Sequence, residues 1–398
     1  MRPPRARSSL MQTRDIIAPS SMQQAGIYIH IPFCRARCSY CDFATGTYQA
    51  PLAERYVHAL VAEINSAQLC TLADADTIYF GGGTPSLLTP AQLETILRAV
   101  HARFRVAPDA EVTMEMNPGT VTPETLRAYR SLGVNRASFG LQTFDDEQLR
   151  RLGRTHTADD ARRTLANLRA ADFTNISFDL IAGLPGQTIE QWAHNMDEAL
   201  ALRPEHLSLY LLEVHEGTPL ADQITRGMWP RPDADTAAEM YRLLLERIAQ
   251  ADYEHYEISN FCLRGHESRH NLKYWTGAPY FGFGCSAHSF DGARARWANE
   301  RDTARYVELI ETNRSAIVET IELDEREASA ESLFLGLRLM RGVNLAQHRT
   351  RFNTDIHAQY ADELARFDDA GLIQLDDNWL RLTPAGVLLS NEVFAAFV

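Results

Sequence analysis

Short runs of β-branched and aromatic residues alternate with segments of helical periodicity along most of the chain. Runs of this kind predict strands, here at Ile27–Ile31, Thr77–Phe80, Glu111–Met116, Asn135–Phe139, Ile176–Ile181 and His206–Leu212. The segments between them carry apolar residues at the spacing of an amphipathic helix, as in Tyr56, Val57, Leu60, Val61 and Ile64. Helix starts are indicated by Thr89, Thr122 and Thr188, each followed by proline or by glutamine at capping distance. Strands and helices that alternate in this way predict βα units around a parallel sheet.

The six βα units favour an incomplete TIM-like barrel, (βα)6, over a doubly wound sheet, because the sequence has no dinucleotide-binding glycine fingerprint. Spacing alone leaves this choice open. Unusual residues gather at the strand ends: a cysteine-rich segment follows the first strand, Gly81–Gly83 follow the second, and Glu115, Gln142 and Asp179 lie late in the next three. Barrel enzymes carry their active sites at the carboxyl ends of the strands, so we expect one mouth to collect these groups.

The pattern changes beyond residue 240. An amphipathic helix at Ala237–Ala249 leads into a stretch rich in tyrosine and histidine, and helical periodicity returns from about residue 325. A hairpin is predicted at Leu372–Leu382, with Asp376-Asp377-Asn378 at its turn. We therefore predict a barrel at 26–255, a connecting segment at 256–324 and an α+β, winged-helix-like domain at 325–398.

Residues 1–25 are predicted to form a disordered leader. They are rich in Arg, Ser, Pro and Gln and lack the apolar core of a secretory signal. An Arg-rich transit peptide and a later start at Met11 or Met22 stay open as alternatives.

The composition is that of a soluble globular protein, with 45% hydrophobic and 23% charged residues among 398. The formal net charge of −13 argues against a nucleic-acid partner held by bulk charge. In the predicted C-terminal domain, arginines are outnumbered by acidic residues and no lysine occurs, which argues against DNA as the partner of a winged-helix-like fold. No apolar run reaches the roughly 20 residues that span a bilayer, so we expect no membrane span, and peripheral membrane contact stays open.

Six cysteines are too few for a disulfide scaffold, and three of them form the pattern C-x3-C-x2-C at Cys34, Cys38 and Cys41. Clustered thiolates select zinc, Cu(I) or iron–sulfur clusters, which places the protein in a reducing compartment, and we expect the cytoplasm. Three ligands on a four-iron cluster leave one iron open. The alternative is zinc with His30 or a distant cysteine as the fourth ligand, which this spacing disfavours. Cys70 and Cys262 are expected to be inert buried thiols.

A C-x3-C-x2-C loop after the first barrel strand, with Tyr40 before its last cysteine, resembles the radical S-adenosylmethionine (SAM) superfamily. The resemblance extends over four further motifs, namely Tyr28–Cys34 (YIHIPFC), Tyr79–Ser86 (YFGGGTPS), Ser138–Gln142 (SFGLQ) and Asp179–Ile181 (DLI). These resemble the branch that contains oxygen-independent coproporphyrinogen III oxidases (HemN) and heme chaperones (HemW). The likeness covers nearly all of residues 26–398.

The resemblance implies a [4Fe–4S] cluster on Cys34, Cys38 and Cys41, with SAM chelated by the open iron and cleaved to a 5′-deoxyadenosyl radical when an electron donor reduces the cluster. It implies SAM contacts at Tyr28, Tyr40, Gly82, Gly83, Thr84, Glu115, Gln142, Arg154 and Asp179. The residue types suit these roles, since the Arg154 fork matches a carboxylate and the two acids accept hydrogen bonds from hydroxyls or an ammonium. Taken singly, each polar residue is equally compatible with a salt bridge at the barrel rim, and each tyrosine with core packing.

Two departures separate the relatives within this branch. The oxidases carry a further cysteine two residues after the third, where this chain has Phe43, and residues 1–25 do not match their structured N-terminal arm. Both differences favour the chaperones.

The segment His270-Asn271-Leu272-Lys273-Tyr274-Trp275 resembles the H-N-x-x-Y-W motif of the chaperones, which implies heme binding by His270, Asn271, Tyr274 and Trp275. An imidazole ligates heme iron, aromatic rings pack on the porphyrin, and Lys273, the only lysine, suits a propionate. The alternatives are a surface loop that closes over the barrel mouth, or heme ligation by His288 or Cys285.

Three functions therefore remain. The first is a carrier that binds heme and passes it to an unidentified acceptor protein; the second is a coproporphyrinogen III oxidase; the third is a radical methylase or another HemN-like enzyme. Phe43 and the His270 motif favour the carrier.

Overall fold

Each apolar run that was predicted to be a strand forms one, with bounds that differ by a few residues. The computed structural model describes residues 24–67 and 73–397, so Cys70 and the predicted leader up to residue 23 lie outside the described residues. The strands are β1 (Ala25–Ile31), β2 (Phe33–Cys34), β3 (Gly46–Thr47), β4 (Ala73–Gly82), β5 (Phe104–Met116), β6 (Arg136–Gln142), β7 (Ile176–Ala182), β8 (His206–Leu211), β9 (Glu254–Glu257), β10 (Asn260–Cys262), β11 (Tyr280–Phe283), β12 (His288–Phe290), β13 (Ala295–Asn299), β14 (Ile317–Glu322), β15 (Val343–Asn344), β16 (Ile373–Leu375) and β17 (Trp379–Leu382).

The three helices with predicted start signals begin at those signals, and the helix predicted at Ala237–Ala249 begins three residues earlier, at Ala234. Thr89 and Thr188 form reciprocal capping boxes with the glutamines three residues later, whereas Thr122 caps its helix alone because Thr125 occupies that position. The helices are α1 (Ala50–Ser66), α2 (Pro90–Arg103), α3 (Pro123–Ser131), α4 (Asp146–Arg151), α5 (Ala158–Ala170), α6 (Ile189–Leu202), α7 (Pro219–Thr225), α8 (Ala234–Ala249), α9 (Arg269–Thr276), α10 (Thr303–Glu311), α11 (Glu325–Leu337), α12 (Leu345–Phe352), α13 (Ile356–Gln359), α14 (Ala361–Asp369), α15 (Pro384–Leu388) and α16 (Ser390–Phe394). Among the described helices, none is both long and apolar enough to cross a bilayer.

The main sheet settles the choice between a barrel and a doubly wound fold. Its parallel strands pair in chain order, β1-β4-β5-β6-β7-β8. A doubly wound sheet would reverse its strand order at a switch point, whereas a barrel adds each strand beside the preceding one. The predicted partial (βα)6 barrel is therefore confirmed, and the carboxyl ends of these strands form its mouth.

The segment 256–324, predicted to be a connection, extends this sheet at both edges. Strands β10 and β9 continue it beyond β8, and β11 pairs parallel with β1 before β12, β13 and β14 continue antiparallel. Strand β9 also crosses the predicted 255/256 boundary. The division into domains stays a prediction, and the residues on both sides of that position share one sheet.

The strands of the barrel present two faces of different chemistry. In β1, Ile27, Ile29 and Ile31 are fully buried under the helices, while Tyr28 and His30 alternate with them and face the lumen. The same alternation in β4 turns Tyr79 inward, where it stacks on Tyr28 with ring centroids 6.1 Å apart. The lumen is therefore lined by hydrogen-bonding side chains, and the apolar core lies outside the sheet.

The C-terminal residues form a small α+β unit with an apolar cluster of its own. The predicted hairpin is confirmed as β16 and β17, and β15 pairs with the other edge of β17. The cluster between this sheet and its helices includes Leu333, Leu337, Leu364, Phe367 and Leu380. Helices around a small three-stranded sheet agree with the predicted winged-helix-like domain.

Two ion pairs, Arg296–Glu331 and Arg338–Glu257, join this unit to the barrel sheet, and the second holds the more deeply buried carboxylate. Arg338 Nη2 lies 2.6 Å from Glu257 Oε1, and the Glu257 side chain is fully buried. The Arg338 guanidinium also covers the Trp275 ring, 4.3 Å from its centroid. Removing the arginine would leave a buried carboxylate without its countercharge.

We expect Arg338→Met to destabilise the protein by about 3 kcal/mol, since breaking one side of a buried ion pair leaves the other charge uncompensated. Denaturant unfolding measures the change. Arg349→Met is the matched control, because Arg349 pairs with Asp355 at the surface of the same unit and should cost no more than about 0.5 kcal/mol. Equal effects of the two substitutions would show that the Glu257 pair does not secure the C-terminal unit.

Candidate functional site

The three cysteines of the C-x3-C-x2-C pattern lie on one loop that leaves the mouth end of β1. The stem of the loop is the parallel pair of β2 and β3, next to which Tyr48 N donates to Cys34 O over 2.9 Å. The far side of the loop is held by Ser39 N, which donates to Leu152 O over 2.9 Å. The loop carries free, partly buried thiols at Cys34, Cys38 and Cys41.

The end of β4 packs directly on this cysteine loop. Thr84 N donates to Phe33 O (2.8 Å), and Thr84 Oγ1 donates to Cys34 Sγ (3.6 Å). A Cβ at Gly83 would stand 2.7 Å from Phe33 O and 3.0 Å from Cys34 Sγ, so a side chain there would force the loop away. Glycine is required for this close approach.

The surroundings of the thiols suit a bound iron–sulfur cluster. Burial raises the pKa of Cys34 and of Cys41, so ligation would displace protons from both. Arg154 Nη1 lies 3.5 Å from Cys38 Sγ and places a cation beside a sulfur that would become a thiolate. A soft, three-thiolate donor set next to a cation fits a [4Fe–4S] cluster with one open iron.

His30, the proposed fourth ligand of a zinc site, is engaged elsewhere. Its Nδ1 lies 3.1 Å from Tyr28 Oη and its Nε2 lies 3.1 Å from Ala44 O. Burial also lowers the pKa of His30, which keeps the ring neutral. The imidazole therefore braces the cysteine loop through Ala44 and has no free nitrogen for a metal.

Two carboxyl groups of the predicted SAM set meet in the lumen below the loop. Glu115 accepts hydrogen bonds from Tyr79 Oη (2.7 Å) and from Gly82 N (3.1 Å). Burial raises the pKa of Glu115 to about 7 and also raises the pKa of Asp179. A ligand that supplies hydroxyl or ammonium donors here would favour their ionised forms.

Arg154 links the cysteine loop to the third and fourth barrel strands. Its Nη2 donates to Asn117 Oδ1 (2.7 Å) and to Gly140 O. Among the described residues, the buried Nε atom has no hydrogen-bond partner. Asn117, which sequence reasoning missed, completes the connection because its Nδ2 donates to Thr84 Oγ1 (2.8 Å). Its position just after Met116 at a strand end was the signal that could have found it.

Two residues at the mouth have a left-handed backbone. Gly82 has φ of +113°, and a Cβ there would lie 2.6 Å from His30 Cε1. Gln142 has φ of +71°, which is uncommon for a non-glycine residue, at a register shift between β6 and β7. Both predicted SAM contacts thus occupy positions where the backbone itself departs from the regular strand.

The two predicted SAM tyrosines have different surroundings. Tyr28 faces the lumen between Tyr79 and His270. Tyr40 packs on a small apolar cluster of Leu152, Ile181, Leu184 and Leu212, which anchors the cysteine loop to the rim of the barrel. The structure therefore brings the polar residues of the predicted set together near the mouth, while Tyr28 lies deeper in the lumen beside His270.

The His270 motif lies at the opposite end. It forms helix α9, whose first backbone amides, His270 N and Arg269 N, both donate to the carboxylate of Glu111 over 3.1 Å. His270 stands beside Gly26 and Thr77 near the strand starts, about 13–16 Å from the mouth at 3.3 Å of rise per residue. The motif is therefore neither a surface loop nor a cover for the mouth.

The imidazole and the two aromatic rings of the motif contact other side chains of the protein. His270 Nδ1 lies 2.8 Å from Thr77 Oγ1 and Nε2 lies 2.9 Å from Tyr274 Oη. Burial, aided by the charge of Lys273, lowers the pKa of His270 to about 3. Trp275 lies under Arg338, and Asn271 N donates to the N-cap residue of α9. Heme ligation by His270 stays a prediction, and in this arrangement it would break one of the two imidazole hydrogen bonds.

The rival heme ligands differ in access. Cys285 is fully buried and lies 3.6 Å from Thr303 Oγ1, and burial raises its pKa to about 11. His288 is exposed on β12. Cys262, expected to be a buried thiol, is fully buried on β10, and burial raises its pKa to about 12.

A buried hydrogen-bond network that the sequence did not reveal supports the cysteine loop from behind. Glu63, on α1, accepts from Tyr306 Oη (2.6 Å), Asn299 Nδ2 (2.6 Å) and Gly284 N (2.8 Å). Beside it, Tyr56 Oη donates over 2.7 Å to the carbonyl of His30, the next-to-last residue of β1 before the loop. Burial raises the pKa of Glu63 to about 7.

This pKa predicts a pH dependence of stability. The unfolded chain releases the Glu63 proton near pH 4.5, whereas the folded protein keeps it to about pH 7. The group's contribution to stability is therefore complete below the unfolded pKa and is lost as the pH rises through about 7. We expect the free energy of unfolding to fall from pH 5 to pH 8, and to fall less steeply in Glu63→Gln.

Urea unfolding at several pH values measures these slopes. Glu54→Gln, an exposed change on the same helix, should keep the wild-type slope. If the free energy of unfolding changed with pH in the same way in wild type and in Glu63→Gln, the raised pKa of Glu63 would be contradicted.

Comparison with known proteins agrees with this geometry. Residues 28–199 match the model of the radical SAM superfamily, and residues 323–389 match that of the HemN C-terminal domain. Among solved structures, coproporphyrinogen III oxidase (HemN) from Escherichia coli superposes with a TM-score of 0.82 at 23% identity, over 94% of this chain and 90% of that one. That likeness shows the shared fold.

Curated relatives match over almost their whole length. The chain is 36% identical to the heme chaperone HemW of Bacillus subtilis, over 93% of this chain and 98% of that protein. It is 35% identical to the mouse protein named radical S-adenosyl methionine domain-containing protein 1, mitochondrial, over 94% of this chain and 87% of that protein. The cysteine loop, the barrel and these relatives together identify the chain as a member of the HemW family within the radical SAM superfamily.

Proposed function

We propose that this protein is a heme chaperone, which binds heme and passes it to an acceptor protein. The observation that carries the proposal is the similarity, over 93% of the chain, to proteins named heme chaperone HemW. Phe43 supports it, because the fourth local cysteine of the related oxidases is replaced by an exposed aromatic residue. The acceptor and the electron donor are partners that the sequence leaves unnamed, and we propose a cytoplasmic location from the reduced thiols.

Cys34, Cys38 and Cys41 would hold the [4Fe–4S] cluster, which supplies an open iron and one transferable electron when bound. Thr84 and Arg154 support the ligands at Cys34 and Cys38. The arginine carries a fixed positive charge that stabilises thiolates at this edge of the loop.

Residues of this chain would orient SAM between the loop and the lumen. Arg154 would offer N–H donors to the SAM carboxylate, and Glu115 and Asp179 would accept hydrogen bonds from hydroxyl or ammonium groups. The backbone at Gly82 and Gly83 leaves room for a ligand to approach closely. Tyr28, Tyr40, Thr84 and Gln142 complete the proposed SAM surface.

We expect alanine at Cys34, Cys38 or Cys41 to abolish cluster assembly, since three thiolates are the minimum for a site-differentiated four-iron cluster. Cluster assembly is measured by the iron and sulfide content after anaerobic reconstitution. It is also measured by an electron paramagnetic resonance signal that changes when SAM is added. Cys262→Ala and Cys70→Ala are the controls and should retain iron. Stoichiometric zinc with no iron in the reconstituted wild type would contradict the cluster.

The chaperone and oxidase functions are separated by parallel assays on the same cluster-loaded protein. We expect saturable 1:1 heme binding, and no decarboxylation of coproporphyrinogen III in the presence of SAM and a reductant. A heme titration followed by absorbance measures the binding, and product analysis under anaerobic conditions measures the decarboxylation. Formation of protoporphyrinogen would establish the oxidase function. Failure of the wild-type protein to bind heme would rule out the chaperone function.

A further inference from the structure

We infer that heme docks at the mouth of the barrel, against the cysteine loop, with His215 as an axial ligand of its iron. This inference rests on the proposed function and names the site that would carry it. The site lies at the opposite end of the barrel from the His270 motif.

Exposed apolar side chains gather at this mouth. We call Phe43, Tyr210 and Val214 the rim patch; their exposed fractions are 64%, 42% and 38%. Large apolar side chains in such positions mark binding surfaces when they are contiguous. A porphyrin is flat and mostly apolar, so aromatic and aliphatic side chains of this kind are what its face would contact.

The chain after β8, which carries Val214, crosses the cysteine loop, which carries Phe43. Leu220 N donates to Ser39 O over 2.8 Å, and Leu212 packs with Tyr40 in one apolar cluster. His215 Nδ1 lies 3.9 Å from Asp42 Oδ2, directly before Phe43 in the loop. The imidazole therefore stands beside the part of the loop that carries Phe43.

His215 is available to a metal in a way that His270 is not. Its side chain is 45% exposed, and the nearest carboxylate oxygens to its two nitrogens lie at 3.9 Å (Asp42) and 3.7 Å (Glu213). Both distances exceed a hydrogen bond, so within the described residues neither nitrogen is engaged. Ligating histidines commonly carry a carboxylate on the second nitrogen, and Asp42 would fill that place at Nδ1 when iron binds Nε2. Glu213, with 73% of its side chain exposed, is free to turn away.

The same rim supplies positive charge for the two propionates of heme. Arg301 Nη2 donates to Asp42 O (2.7 Å), and Arg37 Nη2 donates to Cys41 O (3.2 Å), which keeps both guanidinium groups beside the loop. Arg35 is exposed next to them. Each fork retains further donors, which suits carboxylates at the edge of a docked ring.

The test is a heme titration of the full-length, cluster-loaded protein, read as a difference spectrum against the same protein without heme. We expect His215→Ala to shift the Soret band and to weaken binding at least about tenfold. Added imidazole should restore the wild-type band position in this variant, which loss of a merely structural side chain would not allow. Phe43→Ser should weaken binding and leave the band position unchanged.

His357→Ala is the matched control, because His357 is also exposed but lies on α13 of the C-terminal unit; its titration should equal that of wild type. A His215→Ala titration identical to wild type would overturn this inference and leave the chaperone proposal standing. The inference would also be overturned if His270→Ala lost the Soret band while His215→Ala kept it, provided that circular dichroism shows an intact fold. That result would assign the heme ligand to the His270 motif. Failure of the wild type to bind heme would overturn the proposed function itself.

Discussion

The contact between Gly83 and the cysteine loop is the constraint on which the mouth of the barrel depends. Because no side chain fits between β4 and the Phe33 carbonyl, the loop lies against the strand end, and Thr84 reaches Cys34. The same strand end presents Gly82 N to Glu115, which lies on the next strand of the sheet. One close backbone approach thus sets the positions of a thiol, a hydroxyl and a carboxyl group relative to each other.

Strand pairing in chain order turns this local contact into a site. Each parallel strand adds its carboxyl end beside the preceding one, so the loop after β1 and residues late in β5, β6 and β7 share one mouth. The two-residue period of each strand then sends polar side chains into the lumen and apolar ones under the helices. The buried carboxyl groups in that lumen are costly, as the raised pKa values of Glu115 and Asp179 show, and ligand donors would offset that cost.

The two ends of the barrel have different tasks. At the strand starts, α9 closes the floor: Glu111 caps its first amides, and Lys273 bonds to Gln24 O over 2.8 Å. His270 serves this closure with both ring nitrogens. At the mouth, by contrast, the loop and the chain after β8 leave apolar side chains and an imidazole exposed. The side chains that hold the protein together at the strand starts are thus separated, by the length of the strands, from the side chains that are exposed to a ligand at the mouth.

The sequence by itself determined the strands, the helix caps and the cysteine loop, because periodicity, capping and ligand spacing are local properties that neighbouring residues express on their own. Tertiary structure decided what depends on pairing between distant segments. It set the pairing of strands in chain order that makes a barrel, the extension of that sheet by residues 256–324, and the placement of Glu63 and Asn117 in supporting roles. It also decided the place of His270: the motif reads as a ligand set along the chain, but its imidazole hydrogen-bonds to Thr77, 193 residues away, and only the fold could bring those two together.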